Sequence, residues 1–449
     1  MRKTIYITLL ALLSGCGIYK PYSRPGTELP EQYRDINTDD TTTLAALPWK
    51  ELFTDEHLQT LIETGLQQNT DLQVARLRVK EADALLLNAR LSYLPALSLS
   101  PEGGISSYNG TTSKTYNLAA SANWELDIFG KTTNAKRGAK AALLGSREYA
   151  QAVQTQLIAN IAGKYYTLLM LDRQLEIGEE TLQSWEKSIK VLEALKASGK
   201  ANDAAVLQAR ANRMTLESSV LTLRKNITDT ENALSVLLAL SPQEIERGRI
   251  ADVRFPDELK VGVPAQLLSN RPDVRQAEQN LAQAFYATNA ARASFYPSVN
   301  LSGSIGWSNN GGGVITNPGN WLMSAIGSLV QSLFNRGTNI ANLKIAKARQ
   351  EEAMLLFRQS LLDAGNEVNT ALTQWQTARQ QIEVCNRKID TLQEAVRKTE
   401  LLMRHSTSTY LEVLTAQQAL LDAEQQQVQY IFDCVQGVIN LYHALGGGA

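Results

Sequence analysis

From Lys131 to Ala197 the chain reads KTTNAKRGAKAALLGSREYAQAVQTQLIANIAGKYYTLLMLDRQLEIGEETLQSWEKSIKVLEALKA, a proline-free run dense in Ala, Leu, Gln, Glu, Lys and Arg. These are good helix formers, and proline inside a helix costs about 3 kcal/mol, so the run predicts one continuous helix. Leu168, Leu171, Leu175 and Leu182 recur on one stripe of it. Gly337 to Arg404 repeats the composition, with Leu392, Ala395, Val396, Thr399, Leu402 and Met403 at helical spacing. At about 1.5 Å per residue each run makes a rod roughly 100 Å long, which suits a coiled coil or a tunnel wall better than a globular core. None of the 12 prolines falls within 102–241 or 319–449. Both rods end in small polar breaks, Ser198-Gly199-Lys200-Ala201-Asn202-Asp203 and His405-Ser406-Thr407-Ser408-Thr409, before a shorter helical pattern resumes. Each break therefore predicts a helical hairpin tip.

Working outward from the rods, the two halves of the chain duplicate one another. Asp71 and Pro95 match Asp273 and Pro297 at an offset of 202, Val206-Leu207 matches Val413-Leu414 at 207, and Leu238 matches Leu445 at 207. The order of elements in each half is helix, two strands, long helix, tip, helix. Tyr116, Leu118, Ala120, Ala122, Trp124, Leu126 and Ile128 alternate with mostly polar or small residues, the period of a strand. A partner strand begins at Ala96 to Ile105, and the loop between them is expected at Ser106 to Thr115. The second half offers Ser298 to Trp307, a loop from Ser308 to Gly319, and a strand from about Trp321 to Phe334. This alternation suits a wall with lipid on one side and water on the other. Four strands do not close a barrel; a homotrimer supplies twelve.

The N-terminus changes the compartment. Arg2 and Lys3 precede an apolar run, Ile5 to Leu13, and Leu13-Ser14-Gly15-Cys16 closes it, an export signal too short to span a bilayer. Its ending resembles the lipobox of bacterial lipoproteins, with Cys16 as the acylated residue; an ordinary cleaved signal is the alternative reading. Beyond residue 16 no run of 18 apolar residues occurs, so a transmembrane helix is not expected, and a barrel remains open. With 44 basic and 45 acidic residues and a net charge of −1, the chain offers no overall attraction for nucleic acid. Cys385 and Cys434 are the only other cysteines, to be read as a pair or as buried free thiols.

Several segments together resemble the TolC-like outer membrane factors, in particular the lipoprotein subfamily of tripartite (RND-type) efflux systems. Asn270-Arg271-Pro272-Asp273-Val274-Arg275-Gln276-Ala277-Glu278, running on to Pro297-Ser-Val-Asn-Leu301, resembles the family's internal motif, in which Arg271, Pro272, Asp273, Arg275, Glu278 and Pro297 stand out. Tyr410-Leu-Glu412-Val-Leu-Thr-Ala416 resembles its second tip, and Ala444-Leu-Gly-Gly-Gly448 its ending. Gly17 after the cysteine resembles the pattern sorted to the outer membrane. The resemblance implies a mainly α fold with a β-barrel part. Each chain of a homotrimer gives four strands to a 12-stranded outer membrane barrel and long helices to a periplasmic coiled-coil tunnel. It implies these segments: signal peptide 1–15, lipidated segment 16–54, first repeat 55–241, equatorial linker 242–269 and second repeat 270–449.

The implied function is passive export of drugs, toxic compounds or metal ions from the periplasm through the outer membrane of a Gram-negative bacterium. Its partners are a periplasmic adaptor, an inner membrane transporter and outer membrane lipid anchored through Cys16. The tips, with Ser198, Gly199, Lys200, Ser406, Thr407 and Ser408, meet the adaptor in this picture. An acidic pair constricts the tunnel in the family; here Glu412 matches its first member and Thr415 stands where the second is expected. A solvated helix-end glutamate is the plainer reading of Glu412.

Catalytic readings find no support. Ser184-x-x-Lys187 has the spacing of serine acyl enzymes but lies within the long helical run without a companion motif. His57, His405 and His443 lack metal-ligand partners, Gly311-Gly312-Gly313 lacks the rest of a phosphate loop, and no cofactor is expected. Trp124, Trp307 and Trp321 near strand ends read equally as an interfacial belt or as core packing. The competing functions are a type I protein secretion duct and a non-conducting lipid-anchored periplasmic scaffold. The lipobox argues against the first, and the paired strands leave the second incomplete.

Overall fold

In the computed structural model the described residues are 19, 21–26, 43–199, 201–255, 259–262, 264–308, 320–332, 335–404 and 410–448, with the side chains of 320–322 and 404 outside the description. Seven helices and four strands organise them: α1 (Glu56–Gln68), α2 (Thr70–Leu91), β1 (Ala96–Tyr108), β2 (Thr111–Leu126), α3 (Lys131–Ala197), α4 (Asp203–Leu237), α5 (Pro272–Ala293), β3 (Ser298–Ser308), β4 (Asn320–Val330), α6 (Thr338–Arg404) and α7 (Tyr410–Ala444). The lengths repeat: α2 and α5 have 22 residues, α3 and α6 have 67, α4 and α7 have 35. The proline-free runs thus become single helices at nearly the predicted bounds.

The chain divides into two compact units, each drawing on both halves of the sequence. One comprises residues 21–26, Arg76–Tyr149 and Arg275–Ser360 and contains the sheet, an antiparallel meander in the order β1-β2-β3-β4. Its turn corrects the expected loop. β1 and β2 run on through most of Ser106–Thr115, and only Asn109-Gly110 turns, with φ of 47° and 79°. Both values are left-handed, as a two-residue type I′ hairpin needs, and Asn-Gly is the pair that adopts them most readily. The last strand ends at Val330, short of Phe334. Gly306 marks a close approach in β3, because a Cβ there would lie 2.2 Å from the Leu118 carbonyl oxygen.

The other unit comprises 43–75, Ala150–Val274 and 361–448. Asp55 opens α1 by accepting from the backbone N–H groups of His57 and Leu58, and its other oxygen accepts from the Tyr165 hydroxyl at 2.6 Å. Leu58 and Ile62 then bury the inner face of α1, with Tyr165, Ile158, Ile161 and Leu168 of α3 in the same core. The 242–270 segment carries short helical turns and an antiparallel bridge, Thr43 to Val261. Arg247 ties it down by binding Asp172 with two nitrogens, at 2.5 and 3.0 Å, and Glu231 at 2.5 Å.

Candidate functional site

In the sheet, residues paired across strands share a face. Leu97 pairs with Ala122, Leu99 with Ala120, Ala120 with Ile305, Ile305 with Met323, and Trp124 with Leu301. This face is apolar, and its side chains stand open: Leu97 is 79% exposed, Ile105 76% and Met323 80%. The opposite face carries Ser98, Ser121, Ser302, Ser304 and Ser324, with Asn117, Asn123 and Asn300. Hydroxyls meet across it, Ser98 with Ser121 at 2.7 Å and Ser304 with Ser324 at 2.8 Å. Trp124 and Trp307 both fall on the apolar face, Trp124 near one end and Trp307, paired in register with Trp321, near the other. Trp124 is 38% exposed and donates its indole N–H to the Tyr93 carbonyl at 2.9 Å, an amphipathic placement rather than a core one. β1 and β4 are the sheet's edges, and Pro101 sits on β1, where a missing ladder donor is tolerated.

At the helical hairpins, Ile189 and Leu192 of α3, Val206 and Ala209 of α4, and Tyr410, Val413 and Leu414 of α7 form one buried cluster. Glu412 and Thr415 lie on the exposed side of the same turns of α7, and the Thr415 hydroxyl donates back to the Leu411 carbonyl at 2.8 Å. Glu412 sits in the first turn of α7, where a helix N-terminus favours negative charge. Gly199, at φ 73°, ends α3 after the Ser198 hydroxyl has donated to the Leu195 carbonyl; Lys196 pairs with Asp203 across the tip. Cys16, Lys200, His405, Ser406, Thr407 and Ser408 lie outside the described residues.

The motif residues divide between two places. Arg271, 3% exposed, holds Asp273 with two nitrogens at 2.9 and 2.5 Å, Glu367 at 2.5 Å and the Ala444 carbonyl at 3.1 Å. Burial works against its charge, and the hydrogen bonds and charges of Asp273 and Glu367 overcome it, raising the guanidinium further above its ordinary value. For Asp273, burial raises and Arg271 lowers, with a net fall. His443 is pushed below its ordinary value by burial and then by Arg271. Pro272 occupies the first position of α5, where its missing N–H costs nothing. Elsewhere, Arg275 pairs with Glu148 at 2.7 Å, and Glu278 takes both nitrogens of Arg24, at 2.8 and 2.6 Å. Pro297 immediately precedes β3. Sequence reasoning missed that Arg271 clasps the end of α7, and also that Asn69 donates to the Leu237 carbonyl at the end of α4, at 2.9 Å.

Ser184 and Lys187 are exposed on α3, and no group of metal-ligating side chains occurs among the described residues. Cys385 is buried and Cys434 half-buried; both are free thiols, so the alternative of a pair is not realised. No described helix is long and apolar enough to cross a membrane.

An open sheet with an exposed apolar face and a hydroxyl-lined face, in a chain that also forms two long helical hairpins, defines a subunit of a membrane channel wall. Comparison with known proteins supports this. The outer membrane efflux protein family matches residues 61–240 and 263–447, and the chain belongs to that family. It is 30% identical to the cation efflux system protein CusC of Escherichia coli K12, over 97% of each chain. It is also 30% identical to the probable outer membrane lipoprotein SilC of Salmonella typhimurium, over 99% of this chain and 98% of SilC. The open state of the Neisseria gonorrhoeae MtrE outer membrane channel superposes with a TM-score of 0.87 at 25% identity, covering 96% of this chain and 98% of MtrE. The protein is an outer membrane efflux channel.

Proposed function

We propose that three copies join β1 of one to β4 of the next, closing a twelve-stranded barrel whose apolar face meets lipid and whose hydroxyl face lines a water-filled lumen. The two open edges and two contrasting faces of the four-stranded sheet carry this reading, since an unpaired edge in hydrocarbon leaves its backbone groups unsatisfied. Two repeats, 55–241 and 270–449, joined by the 242–269 linker, supply the wall below. The tips engage a periplasmic adaptor that connects to an inner membrane transporter, the source of energy and of substrate choice. The likeness to cation efflux CusC and to SilC supports metal ions among the exported small molecules. Acylated Cys16 anchors each chain in the outer membrane, in keeping with SilC's description as a lipoprotein. Glu412 of the three chains constricts the tunnel, Thr415 supplying a hydroxyl where a second acid would add repulsion.

Native mass and single-channel current of the detergent-purified protein test the reading. A trimer with small, cation-preferring currents is expected, and a non-conducting monomer would overturn it. Glu412→Ala is expected to raise conductance or weaken cation preference, and unchanged currents would remove Glu412 from the constriction.

A further inference from the structure

The register of the sheet brings Ala96, Leu126, Ser298 and Val330 to one end, so α2, α3, α5 and α6 all meet the sheet there. The charge at that end is one-sided. The helix turns and junctions nearest the strands, residues 84–94, 127–141, 286–297 and 335–345, hold eight arginines and lysines and a single acid, Asp127, in a chain of 44 bases and 45 acids. Asp127 is occupied in capping α3: its oxygens accept from the backbone N–H groups of Thr132 and Thr133 at 2.8 and 2.7 Å. All eight cations are exposed, and among the described residues Lys131 alone is ion-paired, with Glu125.

Aromatic side chains occupy the same end. Phe129 stacks on Tyr296 at 5.0 Å, Phe295 and Trp124 are 40% and 38% exposed, and Lys136 lies 5.1 Å over the Tyr93 ring. Moving along the chain from the sheet, the order is exposed apolar face, amphipathic aromatics, then cations. Apolar surface, aromatic belt and cation is the order that hydrocarbon, interface and headgroup ask of a protein surface. From this we infer that the cations form a collar that binds anionic phospholipid headgroups of the leaflet bordering the helical side of the sheet. The charge complementarity is to the phosphodiester and not to any one head alcohol. The inference rests on the apolar sheet face meeting lipid, as proposed above.

Full-length protein in mixed micelles of phosphatidylglycerol and phosphatidylcholine in equal amounts, recovered by gel filtration, tests it by mass-spectrometric counting of retained lipid. Phosphatidylglycerol is expected in about fivefold excess, the ratio a single well-placed cation produces at an anionic surface. The excess should collapse when salt rises from about 0.1 M to about 1 M and the screening length falls from about 10 Å to about 3 Å. Arg137→Gln/Lys140→Gln/Lys344→Gln is expected to lower the excess, and the charge-keeping Arg137→Lys/Lys140→Arg/Lys344→Arg to retain it. Equal retention of the two lipids, or an undiminished excess in the glutamine variant, would overturn the inference. So would a salt-independent excess, or binding confined to soluble polyanions such as polyphosphate. Should the glutamine variant not fold, the salt series and the charge-keeping variant still decide. Single-channel current from the same preparations separates failure of the collar from failure of the channel reading.

Discussion

Two helix ends, 207 positions apart, are sealed by different chemistry. Leu237 ends α4 and Ala444 ends α7, and each leaves carbonyls without an intrahelical donor. In the first repeat the donor is the neutral amide of Asn69, which also caps α2 by accepting from the Leu72 N–H at 3.0 Å. In the second it is Arg271, the position 202 residues on, which binds Ala444 while gripping Asp273 and Glu367. The residues that follow show the same divergence. Ala239 takes a left-handed φ of 55° after α4, and Gly446 a φ of 89° after α7, with backbone N–H groups returning to the last turn in both. The duplicated fold fixes which backbone groups must be satisfied; it leaves open whether an amide, a guanidinium, an alanine or a glycine does it.

The comparison can be broken most directly at Arg271. Arg271→Ala strands the Ala444 carbonyl and two carboxylates, and about 3 kcal/mol of stability should be lost in denaturant unfolding followed by circular dichroism. Asn69→Ala should cost about 1 kcal/mol in the same assay, and equal losses would show the two clasps to be energetically equivalent. Gly446→Ala is next, at about 2 kcal/mol, because its Cβ would fall 2.5 Å from the Asn270 carbonyl oxygen at a left-handed φ.

Acidification sharpens the contrast. The unfolded His443 imidazole takes up its proton near pH 6.5, and the folded one, buried beside Arg271, only at lower pH. The unfolded chain therefore binds more protons in that window, so stability is complete above about pH 6.5 and declines as pH falls below it. A His443→Asn variant should flatten the decline between pH 7 and 5 in thermal melts. The smallest effect is a gain: Ala239→Gly relieves left-handed strain against added unfolded-chain freedom, for about 0.5 kcal/mol of stabilisation in the denaturant assay.

How far the fold was legible depended on the range of the interaction. Lys131–Ala197 reads directly because every residue of a helix bonds its own neighbours and no proline interrupts. The two-residue turn at Asn109-Gly110 reads in the sequence as part of a loop over Ser106–Thr115, because the Gly, Ser and Thr around it resemble one. Small residues are tolerated there because these strand faces stay open and need no bulky side chain to fill a core. The paired faces of the sheet follow from period-two alternation, and the register of β2 against β3 does not, since the 67-residue α3 and its tip intervene between them. Arg271 was singled out by its motif, while its grip on Ala444, 173 positions away, has no local signature.

The sequence by itself determined the rods and the strands, because each rests on spacing within a few dozen residues, and the duplication, because matching residues recur at offsets of 202 to 207. Tertiary structure alone decided which side chains close the helix ends and that eight scattered cations gather at one end of the sheet. Those groups are remote in the chain, and only the meander's register and the return of each long helix bring them within reach.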